Sequence, residues 1–180
     1  MAAQRLILQG GGQITAAADH THHALVGQPA EQLLPIRVKL RIQLAKEVDK
    51  PIIVHDREAH GDTLELLQAL QPKGVVHCFS GSKEMAKEII KLGMYIGLNG
   101  VATFKNARKA LEVVETIPLE RLVLETDCPY LAPEPCRGQR NNSALIPHIA
   151  ARIGQVLGLS PQAVLRQTAE NARALYGLQV

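Results

Sequence analysis

The sequence predicts an α/β fold built from repeated strand–helix units, and three observations support it. Short apolar runs, the pattern of parallel strands buried on both faces, recur along the chain at 52–54, 75–76, 94–96 and 122–124. A segment with helical spacing separates each run from the next, which implies parallel pairing with right-handed crossovers. Polar residues able to bind a metal ion follow the runs, and such residues mark the active-site face of a β/α barrel. We therefore expect a TIM-type (β/α) barrel.

Length and composition favour one soluble domain. The chain has 180 residues and can bury a substantial core. The net charge of +3 is too small to predict a nucleic-acid surface, and the absence of tryptophan leaves no evident platform for stacking bases. No apolar stretch approaches the roughly 20 residues of a membrane span, and the start lacks a signal-peptide pattern. The three cysteines fit reduced thiols, so we expect a cytoplasmic protein with no membrane contact.

Residues 1–35 differ from the rest of the chain. They predict an atypical, weakly structured segment with one short strand at 5–9. The three glycines at 10–12 do not indicate a phosphate loop, because no Lys-Ser/Thr pair follows them. The composition changes near Pro35, so we divide the chain into this segment and a β/α part, 36–180.

From Ile36 onward regular elements are predicted throughout. Asp62, Ser82 and Ser160 are the expected helix N-caps, and Gly93 is expected just past a helix end. Apolar spacing and breaker residues give this order: helix 36–48, strand 51–57, helix 63–70, strand 75–79, helix 83–92, strand 94–98, helix 107–117, strand 121–125, a proline-rich loop 128–143, helix 146–157 and helix 161–175.

Two histidines and an aspartate form the candidate metal site. His55, His77 and Asp127 each lie at or just past the end of a different predicted strand. Parallel strand ends come together in a barrel, so two imidazoles and a carboxylate could bind one divalent ion. A buried histidine satisfied by a backbone carbonyl is the structural alternative for either imidazole alone. Three such residues on separate strands are much harder to explain as core packing, which favours the metal site.

Neighbouring polar residues suggest a phosphate-bearing substrate. Arg57 lies beyond His55, and Arg137 and Arg140 lie on the loop above the same face, where guanidinium groups could hold phosphate oxygens. Glu125 either positions a metal ligand or simply ends its strand.

Three further residues near the site have structural explanations. Cys78 and Cys128 are interpreted as small buried residues, because no base is paired with either. His60 is expected to close a loop or begin a helix.

Residues 36–178 resemble the C-terminal part of the TatD family of metal-dependent deoxyribonucleases, within the amidohydrolase-like barrels. The resemblance rests on five stretches in the family's order: PIIVHDR at 51–57, VVHCFSG at 75–81, YIGLNG at 95–100, LETDCPYLAP at 124–133 and RGQRN at 137–141. It implies a barrel whose centre of one or two ions (Mg²⁺, Mn²⁺ or Zn²⁺) hydrolyses phosphodiester bonds in DNA, often as an exonuclease on single strands or 3′ ends. It also places His55, His77 and Asp127 on the family's later metal-ligand positions and implies that Asp127 doubles as the catalytic base for the attacking water.

The chain departs from the family pattern in its first part. The four strands that the sequence predicts correspond to strands five to eight of the barrel, and a full barrel needs about 250 residues. The family's glutamate at the end of its fourth strand has no counterpart here. His20 and His22 have the spacing of the family's first-strand His-X-His pair, but too few residues separate them from His55 for three β-α units. They are either a ligand pair or a flexible histidine cluster.

Three functions stay open from the sequence. The first is a divalent-metal deoxyribonuclease, impaired if the first half of the barrel is missing. The second is an inactive half barrel from a truncated or frame-shifted gene, which would self-associate through exposed barrel edges. The third is another amidohydrolase-type activity, such as a lactonase or deaminase, because the ligand set does not choose the substrate. The arginines favour a phosphate-bearing substrate.

Overall fold

The computed structural model describes residues 6–8 and 30–179 of the chain. Three short 3₁₀ turns, at Gly100–Thr103, Leu119–Arg121 and Ser143–Leu145, join the main elements. Those elements are β1 (Leu6–Leu8), α1 (Ala30–Glu47), β2 (Ile52–Asp56), α2 (His60–Leu70), β3 (Gly74–His77), α3 (Lys83–Lys91), β4 (Tyr95–Leu98), α4 (Arg108–Thr116), β5 (Leu122–Leu124), α5 (Ile146–Leu157) and α6 (Pro161–Tyr176).

The described strands form one sheet in the order β1-β2-β3-β4-β5. Strands β2 to β5 are parallel, and a helix separates each from the next, as the alternating pattern predicts. β1 pairs with β2 in antiparallel register, with Ile7 opposite His55. The parallel strands β2 to β5 with their intervening helices match part of an α/β barrel, and within the described residues the sheet is open.

The two faces of the sheet have different partners. On one face Ile52 and Val54 join the main core with the helices, where Ile42, Ile89 and Ile153 are almost fully buried. The other face carries a smaller cluster of Val75 and Val123, against which the end of α6 packs through Leu175 and Ala172. Because side chains alternate along a strand, His55 lies on this second face.

Most predicted elements are confirmed, with shifts at their ends. Ser82 and Ser160 accept hydrogen bonds from Met85 N–H and Ala163 N–H, as helix N-caps do. Gly93 has φ +83° just past α3, as expected. The prediction that Asp62 caps a helix is wrong, because α2 begins at His60, two residues earlier.

The N-terminal segment is described only in part. The strand expected at 5–9 is present as Leu6–Leu8. α1 begins at Ala30, so it crosses the Pro35 position at which the sequence suggested a boundary. His20 and His22 lie outside the described residues. A barrel strand beside β2 would be parallel, whereas β1 runs antiparallel and supplies backbone partners to an edge that would otherwise be open.

Among the described helices, none is both long and apolar enough to cross a membrane.

Candidate metal centre

The carboxyl ends of the parallel strands bring the two predicted histidine ligands side by side. His55 and His77 are partners in the β2–β3 register. Their ring centroids are 5.5 Å apart, and the ring planes are tilted by 38°. The expectation that separate strand ends converge here is therefore supported for these two imidazoles.

His77 lies between two carboxylates. Its Nδ1 is 2.7 Å from Glu125 Oε2, and its Nε2 is 3.0 Å from Asp127 Oδ1. The side chains of His77, Glu125 and Asp127 are 19%, 20% and 27% exposed, so the cluster is mostly shielded but open to a ligand. Such a histidine, held through one nitrogen by a carboxylate, presents the other nitrogen in a fixed orientation.

Gly97 gives the Glu125 carboxylate its space. A Cβ at Gly97 would lie 2.9 Å from Glu125 Oε2, closer than real Cβ contacts allow. The other carboxylate oxygen, Oε1, accepts a hydrogen bond from the backbone N–H of Cys78. Glu125 is thus fixed through both oxygens, which explains how it can orient His77.

Asn99 fixes the second oxygen of Asp127. Its Nδ2 lies 3.3 Å from Asp127 Oδ2 and 3.0 Å from Cys78 Sγ. Asn99 is buried and also caps the turn that follows β4 by accepting from Val101 N–H. Cys78 and Asp127 both have left-handed backbone conformations, with φ +48° and +59°, and such outliers cluster at functional sites.

The charges of this cluster shift two pKa values. The hydrogen bond to Glu125 raises the pKa of His77, burial opposes this shift, and the charges of Glu125 and Asp127 add to it. Burial, with the same two carboxylates, raises the pKa of the Cys78 thiol to about 12. The raised pKa favours the protonated thiol at neutral pH, which agrees with the interpretation that Cys78 is not a nucleophile.

The donor atoms at His77 and Asp127 fit a shared metal ion. Two ligand atoms bound at about 2.1 Å and at right angles, as in octahedral Mg²⁺ coordination, are about 3.0 Å apart. The distance of 3.0 Å between His77 Nε2 and Asp127 Oδ1 matches this spacing and equally that of a direct hydrogen bond. Within 36–179, however, no group of three or more His, Cys, Asp and Glu side chains is arranged to hold an ion. The structure thus pairs two predicted ligands, His77 and Asp127, and places the His55 ring beside the His77 ring.

The three predicted phosphate-binding arginines are exposed at the surface. The guanidinium carbon of Arg137 lies 4.2 Å from the ring centroid of Phe104, the residue that follows the Gly100–Thr103 turn. The Arg137 loop is attached there, because Glu134 N–H donates to Thr103 Oγ1 at 2.8 Å. Among the described contacts, neither Arg57 nor Arg140 bonds to the His77 cluster.

Four residues near the site stabilise its structure, although the sequence analysis assigned them no role. Gly97 and Asn99 lie in the YIGLNG stretch, and Asn141 ends the RGQRN stretch, so the motifs were the available signal. Asp56 is buried on the opposite face from His55, because adjacent strand residues alternate. Asp56 accepts from Ala59 N–H at 3.0 Å and lies 2.7 Å from His60 Nδ1, which confirms the structural role expected of His60.

The interpretation of Cys128 as buried is wrong. Its side chain is exposed, because β5 ends at Leu124 and residues 128–131 run over the surface. Cys78 is partly buried, closer to the expectation.

Comparison with known proteins identifies relatives over most of this chain. The family model for TatD-related DNases matches residues 38–177. An uncharacterized metal-dependent hydrolase of Bacillus subtilis, YabD, is 42% identical over 139 residues, which are 76% of this chain and 54% of that protein. A Klebsiella pneumoniae protein named 3'-5' ssDNA/RNA exonuclease TatD is 37% identical over 148 residues, 78% of this chain and 56% of that protein.

A solved structure supports the same fold. The TatD homologue YjjV of Escherichia coli superposes with a TM-score of 0.74 at 29% identity, covering 83% of this chain and 57% of that one. The chain thus spans about half the length of the relatives it matches.

Proposed function

The chain belongs to the TatD-related DNase family, and on this premise we propose that it is a divalent-metal-dependent hydrolase of phosphodiester bonds in DNA, acting on single strands from the 3′ end. The relative named as a 3'-5' ssDNA/RNA exonuclease supports this substrate class and this direction. The family's other relatives named metal-dependent hydrolases support the cofactor class.

The observation that carries the proposal is the position of His77 between two carboxylates. When a neutral ring carries its proton on Nδ1, where Glu125 accepts it, the Nε2 lone pair faces Asp127 Oδ1. Two electron-rich atoms that face each other at 3.0 Å need a cation between them. A proton or a divalent ion satisfies this need, and His77, Asp127 and the adjacent His55 are the proposed ligands.

Each residue of the site has its own role in the proposed reaction. A divalent ion, when bound, would polarise a phosphoryl oxygen and lower the pKa of water. Asp127 accepts the proton of the attacking water through its carboxylate, which Asn99 orients from the other oxygen. Glu125 keeps His77 in one tautomer and one orientation during the reaction.

The surface beside the site suits a polynucleotide strand. Arg57, Arg137 and Arg140 are the proposed phosphate contacts. Tyr130 is 74% exposed and follows Asp127 by three residues, so it is available to stack on a base. A lactone substrate would use none of these side chains, which favours a nuclease over a lactonase.

Location and self-association are also part of the proposal. The described cysteines are free thiols, which suits a reducing cytoplasm. In the described sheet β5 pairs with β4 alone, and this edge is where we expect copies of the chain to associate.

An activity assay tests the proposal. Chain stripped with EDTA is supplied with Mg²⁺ or Mn²⁺ and given single-stranded DNA labelled at either end. We expect metal-dependent shortening from the 3′ end, reduced at least about 100-fold in Asp127→Asn because the general base is lost. Asp62→Asn, which changes an exposed carboxylate on α2, is the control.

Two results would reject the proposal. A folded wild-type chain without metal-dependent hydrolysis of DNA would favour the inactive half barrel. Hydrolysis of a lactone with no cleavage of DNA would favour the other amidohydrolase-type activity.

A further inference from the structure

The side-chain amide of Asn141 is buried directly behind the loop that carries Asp127. Asn141 is 3% exposed, and its Nδ2 donates to two backbone carbonyls, Thr126 O at 2.5 Å and Tyr130 O at 2.7 Å. Its backbone N–H donates to Pro129 O at 3.0 Å. One residue thus binds the backbone on both sides of Asp127.

The nitrogen and oxygen of this amide cannot exchange places. Both contacts of Nδ2 are carbonyl oxygens, which only accept, so the NH₂ group and not the oxygen must face them. The amide oxygen, Oδ1, is buried and has no hydrogen-bond partner among the described residues. Asn141 therefore holds the loop while leaving one of its own polar atoms unsatisfied, which is unfavourable for stability.

The conformation that Asn141 fixes is one that Asp127 does not strongly favour by itself. Asp127 has φ +59°, in the left-handed region, which L-residues populate little. Its carbonyl accepts from Tyr130 N–H at 3.0 Å, which forms a tight turn. With Thr126 and Tyr130 both held by Asn141, the turn cannot relax, and the carboxylate stays directed at His77 Nε2.

We propose that Asn141 is a positioning residue for the reaction, which acts through Asp127 by fixing its backbone so that the carboxylate faces His77. The inference rests on the proposed function, because Asp127 is the proposed base and metal ligand. Arg140 immediately precedes Asn141, so the same amide also fixes where the loop with the phosphate-binding arginines returns to the site.

Mn²⁺ binding to the full chain, measured by titration calorimetry, tests this role without catalysis. Asn141→Ala removes both amide donors, and we expect Mn²⁺ affinity to fall about 10- to 100-fold, as with other partners that orient metal ligands. Asn141→Ser, which keeps one short donor, is expected to lie between the wild type and Asn141→Ala. Asn142→Ala is the matched control, because Asn142 is the next residue and its side chain only accepts from Ala144 N–H at 2.9 Å.

A second measurement separates this inference from the proposed metal site. In metal-free protein, the ¹⁵N resonances of the His77 ring report whether Asp127 Oδ1 remains beside Nε2. Asn141→Ala should move the Nε2 resonance in the direction that Asp127→Asn moves it, and Asn142→Ala should leave it in place. A thermal melt shows which variants are folded. If Asn141→Ala is not folded, Asn141→Ser takes its place in both measurements.

Each outcome decides one of the two claims. A folded Asn141→Ala with wild-type Mn²⁺ affinity and an unmoved His77 resonance overturns the positioning role. If Asp127→Asn itself leaves Mn²⁺ affinity unchanged, the proposed ligand fails, and the His77 resonance alone then decides for or against Asn141.

Discussion

Glu125 Oε2 lies 2.7 Å from His77 Nδ1, although the two residues are 48 positions apart in the chain. The contact crosses the sheet from the end of β3 to the end of β5, over a β4 residue without a side chain, Gly97. It fixes the orientation of the His77 ring so that Nε2 faces Asp127 Oδ1. Several measurable consequences follow from this arrangement.

Gly97→Ala should disturb the site while leaving the fold intact. The new Cβ would lie 2.9 Å from Glu125 Oε2, and the end of a glutamate side chain can move away more readily than the sheet can. We expect a loss of about 1 kcal/mol in the free energy of unfolding and a fall of about 10- to 100-fold in Mn²⁺ affinity and turnover.

Gly61→Ala is the control for that substitution. A Cβ at Gly61 meets nothing within 4 Å, and the residue lies in α2, so alanine should stabilise the protein by about 0.5–1 kcal/mol and leave activity unchanged. Mn²⁺ affinity is measured by calorimetry. An affinity for Gly97→Ala equal to that of the wild type would contradict the claim that Glu125 requires a residue without a side chain at position 97.

The metal-free protein should show a histidine pKa above the ordinary value of 6.5, assigned to His77. A raised folded-state pKa contributes stability that is fully present below pH 6.5 and is lost as the pH rises through the folded-state pKa. Glu125→Gln removes the main cause, so the His77 pKa should fall and this part of the pH dependence should disappear. NMR titration of the ring and urea unfolding across this pH range measure both effects.

Glu115→Gln, an exposed substitution on α4, is the control for that experiment. A His77 pKa unchanged by Glu125→Gln would show that the hydrogen bond at 2.7 Å does not govern the titration.

The cysteines should differ in their reaction with iodoacetamide at pH 8. Cys128 is exposed and should be alkylated first, whereas the pKa of Cys78, raised to about 12, keeps its thiol protonated. Mass spectrometry of peptides after a short reaction gives the order. Alkylation of Cys78 as fast as that of Cys128 in folded protein would contradict the shielding of the site.

The arginines should contribute to DNA binding and not to the chemical step. In EDTA, Arg140→Ala should weaken binding of labelled single-stranded DNA and reduce the slope of log K against log salt by about 0.7, the value for one phosphate contact on a single strand. Lys91→Ala is the control, because Lys91 ends α3 at the opposite end of the sheet and pairs with Glu88 at 2.6 Å. An unchanged salt slope in Arg140→Ala would remove that residue from the proposed phosphate contacts.

Much of the fold was predictable because local signals agree with the final structure. α5 occupies the predicted 146–157, since a glycine in the left-handed conformation, Gly158, stops it. The strand ends carrying His55, His77 and Asp127 were predictable from buried runs followed by polar residues. By contrast, Asp62 resembles an N-cap only in sequence. The buried Asp56 accepts a hydrogen bond from Ala59 N–H and contacts His60 Nδ1, so the helix begins at His60 instead.

The parts of the site that the sequence did not reveal depend on contacts between distant residues. The roles of Gly97, Asn99 and Asn141 arise from contacts with the segment that follows β5, and no spacing rule connects those positions. The antiparallel pairing of β1 is likewise invisible in a three-residue apolar run. Sequence predicts which strand ends meet, whereas the orientation of side chains there needs the tertiary structure.

Location of a bound ion tests the central claim most directly. Crystals of the full chain soaked in Zn²⁺ and measured at the zinc absorption edge should show an anomalous peak about 2.1 Å from both His77 Nε2 and Asp127 Oδ1. The same map shows whether His55 supplies a further ligand. A peak elsewhere, or no peak while His77 Nε2 and Asp127 Oδ1 remain in direct contact, would contradict a metal centre formed by these strand ends.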